Sequence, residues 1–67
     1  MDMKFKEFDT VRILRKCNEE VQIGDIGVIV MVFDNPNEAY EVEVIDGEGV
    51  TKAQCTLLPN ELELVEH

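Results

Sequence analysis

The sequence predicts an all-β fold: five short strands curled into one small barrel. Three observations predict it. Gly24-Asp25-Ile26-Gly27 feeds the run Val28-Ile29-Val30-Met31-Val32-Phe33, a tight turn before residues that are mainly β-branched. Glycine permits the turn, and Val and Ile pack well on a pleated surface. Ala39 to Ile45 alternates apolar and acidic residues, the period of a half-buried strand. Asp34-Asn35-Pro36-Asn37 and Asp46-Gly47-Glu48-Gly49 are turn-forming clusters placed where strands should end.

Residues 1–7 alternate charged and apolar types without a period and are expected to form an N-terminal arm, with the barrel over residues 8–66. Phe5 and Phe8 are spaced to clamp onto the barrel as a lid. Asp9 to Leu14 reads as strand one, with Val11 and Ile13 on one face and Thr10 and Arg12 on the other. Arg15 to Ile23 is a polar loop, from which Val21 and Ile23 return to the core. Strand two is Gly27 to Phe33. Its apolar character is continuous, so alternation does not say which residues face inward, and its length suits a bent strand shared between two halves of a barrel.

Strand three puts Tyr40, Val42 and Val44 on one face and Glu41 and Glu43 on the other. After the Asp46–Gly49 turn, strand four runs from Val50 to Leu58 with Ala53, Cys55 and Leu57 as its apolar face. Pro59 stops it, and Leu58-Pro59-Asn60-Glu61-Leu62 reads as one 3₁₀ turn. Glu63-Leu64-Val65 makes the fifth strand. The expected core is Val11, Ile13, Ile29, Val42, Val44, Cys55 and Leu57. Five short strands with a 3₁₀ turn before the last is the order of an SH3-like barrel.

A chain of 67 residues makes one domain. A domain of this size buries only roughly 60% of its unfolded surface and has little room for a deep substrate cavity. Binding is therefore expected rather than catalysis. The net charge is −9. It is unevenly spread: residues 1–16 carry +2, and residues 17–67 set Lys52 against twelve carboxylates, or −11. An acidic body repels phosphate backbones and attracts basic partners, although solubility alone also explains such a surface.

No apolar stretch at the N-terminus resembles a signal peptide, and none is long enough for a membrane span. A cytoplasmic location with Cys17 and Cys55 as reduced thiols is the expectation. Cys55 reads as a small core residue, and Cys17 as a loop cysteine whose pKa the neighbouring Arg15 and Lys16 could lower.

The chain has no serine, and its one histidine is His67. Ser-His and Cys-His nucleophiles and His-based metal sites are thereby excluded. Neither a metal nor a cofactor is expected. Glu41 and Glu43 lie about 7 Å apart along a strand, without the cleft that paired-carboxylate hydrolysis needs. Glu38 and Lys52 are expected to be neighbours across the sheet. Asp34, Asn37, Asp46 and Glu48 lack the pattern of a calcium loop and are explained by turn chemistry. With no Trp and one Tyr, an aromatic floor for polyproline is missing.

Gly24-Asp25-Ile26-Gly27-Val28-Ile29 resembles the KOW motif of ribosomal and transcription factors, without the surrounding basic residues that would grip phosphates. Arg12, Arg15 and Lys16 are the cations available for that alternative nucleic-acid contact. Across most of the chain, a second resemblance is carried by Phe8-Asp9-Thr10-Val11-Arg12, Gly24-Asp25-Ile26-Gly27-Val28-Ile29, Ala39-Tyr40-Glu41-Val42-Glu43-Val44, Leu57 to Leu62 and Glu63-Leu64-Val65. The pattern is similar to a family of small, mostly bacterial SH3-like proteins known only as a domain of unknown function. More distantly it resembles the barrel of the nitrile hydratase β subunit. The resemblance implies a stand-alone barrel without a known activity.

The expected function is binding of a basic protein, as an immunity protein or antitoxin that masks a cationic surface. Glu38, Glu41, Glu43, Asp46 and Glu48, with Glu19 and Glu20 from the first loop, form the expected acidic ridge, and Met31 and Phe33 the apolar anchors. The alternatives are a KOW-like nucleic-acid or ribosome-associated module and an accessory subunit of a larger enzyme. Nucleic acid is disfavoured by charge, and no membrane partner is expected.

Overall fold

Alternating apolar residues set the strands, and turn residues set their ends. The computed structural model describes residues 3–66. β1 is Thr10–Ile13, β2 is Ile26–Phe33, β3 is Ala39–Ile45 and β4 is Thr51–Leu57; a 3₁₀ turn at Pro59–Glu61 precedes β5, Leu62–Leu64. The strands form one antiparallel sheet in the order β4-β3-β2-β1-β5. β4 and β5 are its edges. No α-helix occurs among the described residues.

The inward face is the core. Val11 and Ile13 of β1, Ile29 of β2, Tyr40, Val42 and Val44 of β3, Cys55 and Leu57 of β4, and Leu62 of β5 are all buried. The expected core is therefore confirmed. Phe5 and Val21 join it. The N-terminal arm is thus anchored at Phe5, whose ring meets Tyr40 edge-on at 5.2 Å. Phe8 does not share the clamp: it is 75% exposed, at φ +71°. Ile23, expected in the core, is exposed. The Gln22–Asp25 turn diverts it, closed by the Asp25 amide on the Gln22 carbonyl and by Gln22 N–H on Asp25 Oδ2.

Two glycines shape β2. Gly24 has φ +98°, a conformation that glycine adopts without strain. Gly27 sits where an added Cβ would lie 2.5 Å from Val42 Cγ1 and 2.9 Å from the Glu43 carbonyl oxygen.

β2 also contains a bulge. Ile29 faces Val42, but Met31 faces Glu41, so Val30 is an extra residue in the ladder. Residues 27, 29, 31 and 33 would otherwise share one face, because side chains alternate along a strand. The bulge reverses that phase. Gly27 and Ile29 point inward, Val32 packs on the core opposite Tyr40, and Met31 and Phe33 turn outward.

Cys17 and Cys55 form a disulfide with Cα atoms 6.2 Å apart. This corrects the expectation of reduced thiols. The β1–β2 loop folds back onto β4, a proximity that their separation of 38 residues conceals. Closure of so long a loop restricts the unfolded chain. The cysteines consequently carry no argument for a reducing compartment. Among the described residues, no helix is long and apolar enough to cross a membrane.

Candidate functional site: the outward face of β2 and β3

The anticipated site residues fall into groups with different surroundings. Met31, Phe33, Glu41 and Glu43 come together. Across the β2–β3 ladder Met31 faces Glu41, Phe33 faces Ala39 and Val28 faces Glu43. Across β3–β4, Glu41 faces Thr56 and Glu43 faces Gln54. Met31 is 52% and Phe33 38% exposed. An apolar row on β2 therefore runs beside an acidic row on β3.

Hydroxyl groups hold both carboxylates in place. Thr56 Oγ1 donates to Glu41 Oε1 at 2.7 Å, and Thr51 Oγ1 donates to Glu43 Oε1 at 2.8 Å. Among the described residues, no Lys or Arg forms an ion pair with either. Lys52, the cation on β4, instead binds Asp25 Oδ2 at 2.7 Å. This corrects the expected Glu38–Lys52 pairing. Lys52 lies where the β3–β4 register shifts near Ile45, and Glu38 precedes the opposite end of β3.

Glu38 serves the arm. It accepts the Lys4 amide at 3.0 Å and the Tyr40 hydroxyl proton, while that hydroxyl accepts the Phe5 amide at 3.0 Å. The Tyr40 hydrogen bond and then the Lys4 amide hold the Glu38 carboxyl below its usual range. Burial, then Glu38, pushes the Tyr40 phenol up. Asp46 organises its own hairpin turn by accepting the Glu48 and Val50 amides at 2.8 and 3.0 Å, and the Val50 and Glu48 bonds lower its pKa. Glu48 is exposed in that turn, and Glu19 and Glu20 are exposed in the β1–β2 loop.

The basic residues near β1 are largely neutralised. Arg12 Nη1 lies 2.7 Å from Glu63 Oε1, its register partner on β5. Arg15 Nη1 lies 2.6 Å from Glu61 Oε2. Glu61 also accepts the Leu58 amide at 2.9 Å, which closes the 3₁₀ turn. The Leu58 amide and then Arg15 hold its carboxyl below the usual range. Lys16 lines a polar hollow with Arg15 and Cys17. Among the described residues, no group of three His, Cys, Asp or Glu side chains could hold a metal ion.

Nothing in the sequence marks the corner where Leu58 meets Phe33. A mainly apolar open cleft of about 420 Å³ lies at the Phe33 end of the face, walled by Phe33, Pro36, Ala39, Thr56 and Leu58. Leu58 is 46% exposed there. The Asn35–Pro36 bond in this wall is cis. Only the β3–β4 register, which sets Tyr40 opposite Leu57, brings Leu58 to this corner.

A family model described as a domain of unknown function, DUF4926, matches residues 7–64. Neither a curated protein nor a solved structure matches the chain.

Proposed function

The chain belongs to the DUF4926 family, and we propose that it is a non-catalytic protein-binding module, an SH3-like barrel whose acidic face masks a basic partner in the manner of an immunity protein or antitoxin. The strand order and the 3₁₀ turn before β5 support the barrel reading. One observation carries the binding reading: Glu41 and Glu43 stand side by side, without an intramolecular cation among the described residues, next to exposed Met31 and Phe33. Apolar anchors supply affinity when desolvated, and carboxylates steer a cationic partner.

The charge balance supports protein over nucleic acid. Arg12 and Arg15, two of the three cations a nucleic-acid contact would use, already face Glu63 and Glu61. Phosphate affinity scales with the number of phosphates neutralised. An electrophoretic mobility-shift assay at about 0.15 M salt tests this choice. Neither duplex nor single strand should be retarded. Tight binding that is abolished by substituting Arg12 and Lys16 would replace this function with the nucleic-acid one.

A further inference from the structure

The outward face is polarised along β3, and the order of its parts selects a ligand. At one end lies the cleft beside Ala39, walled by Phe33, Pro36 and Leu58. Glu41 follows two residues on and Glu43 four residues on, both on the outward side. At a rise of about 3.4 Å per residue, the Glu41 and Glu43 backbone positions lie about 7 and 14 Å along β3 from Ala39, and the Glu41 carboxylate borders the cleft through Thr56, one of its walls. Each uses Oε1 to accept a threonine hydroxyl, so each side chain is held while Oε2 remains for a partner. Lys52 is engaged with Asp25 and does not compete.

We propose, resting on the protein-binding reading above, that this face binds an extended cationic segment of a partner protein in a fixed order: one bulky apolar side chain in the cleft, and Lys or Arg two and four positions away at Glu41 and Glu43. The occupant follows from charge complementarity and from the strand repeat. An extended segment lying along β3 presents residues i, i+2 and i+4 to the sheet with the same spacing as Ala39, Glu41 and Glu43. A segment with its basic residues at i+1 and i+3 turns them away from the carboxylates. The cleft, about 420 Å³ and mainly apolar, has room for one bulky apolar side chain.

Amide chemical-shift titration of the ¹⁵N-labelled chain with synthetic peptides tests the order. The in-phase peptide is Phe-Thr-Lys-Thr-Lys. The out-of-phase peptide, Phe-Lys-Thr-Lys-Thr, has the same composition. A third, Thr-Thr-Lys-Thr-Lys, keeps the charges and lacks the anchor. Each is used in both chain directions. The in-phase peptide should bind more tightly than the other two by about tenfold. Its shifts should centre on Phe33, Ala39, Glu41, Glu43 and Leu58, and Leu58→Asp, at an exposed position, should erase the preference. Equal affinity of all three peptides with shifts at Glu41 and Glu43 overturns the ordered anchor and leaves the acidic-face reading standing. An in-phase preference whose shifts map away from the cleft also overturns it. If no peptide shifts Glu41 and Glu43, both readings fail together.

Discussion

Gly27 lies against Val42 so closely that a Cβ would come within 2.5 Å of Val42 Cγ1 and 2.9 Å of the Glu43 carbonyl oxygen. Val42 is fully buried and stiff at χ1, and the carbonyl belongs to the backbone of the neighbouring strand. Gly27→Ala should therefore destabilise the fold by about 1–3 kcal/mol, the cost of overpacking. Gly47→Ala is the control, because nothing lies within 4 Å of its Cβ position. It should be near neutral in urea denaturation. Equal midpoints for the two variants would contradict the close approach.

Tyr40 ties the arm to the sheet through one oxygen, which accepts the buried Phe5 amide and donates to Glu38. Tyr40→Phe keeps the ring and leaves that amide without its acceptor. An unsatisfied buried donor costs about 1–3 kcal/mol. Hydrogen exchange at Phe5 should accelerate more than exchange in β3. Unchanged protection at Phe5 would show that the arm is held by packing alone.

The disulfide joins the β1–β2 loop to β4 across 38 residues. Its reduction should lower stability by about 2–4 kcal/mol. The check is chemical denaturation with and without a thiol reductant, with Cys17→Ser as the cleaner variant because Cys55 is buried. Two titratable thiols in the folded, unreduced chain would contradict the pairing.

Four carboxyls, on Asp25, Glu38, Asp46 and Glu61, are held below their usual range by hydrogen bonds they accept. A depressed folded pKa means that the unfolded chain takes up protons first as pH falls. The associated stability is present above the ordinary carboxylate range and is lost on acidification through the folded values. Tyr40 shifts the other way. Its contribution is present below the ordinary phenol pKa, about 10, and is lost as pH rises beyond it. Stability should accordingly be flat near neutrality and fall at both extremes. A decline centred near pH 6 in urea midpoints would contradict this assignment.

The sequence made β3 legible because Glu41 and Glu43 alternate with Tyr40, Val42 and Val44, and the buried set follows from that period. β2 was not legible in the same way. Its unbroken apolar run hides the extra residue at Val30, and only pairing with β3 reveals that Met31 and Phe33 turn outward. Ion pairs were hidden for a related reason. Arg12 meets Glu63 and Lys52 meets Asp25 through register and turn geometry, which composition does not encode. The cysteine pair depends on the return of a long loop, a contact without any local signal.

A basic protein is the expected partner of the Met31–Glu41–Glu43 face. Comparative affinity capture from the native host, with the wild-type chain, E41K/E43K and E19K/E20K as baits, tests this most directly. The wild type and E19K/E20K should recover the same basic protein, its yield should fall with added salt, and E41K/E43K should lose it. Recovery of nucleic acid or of an acidic partner, or equal recovery of the partner by E41K/E43K, would contradict the claim.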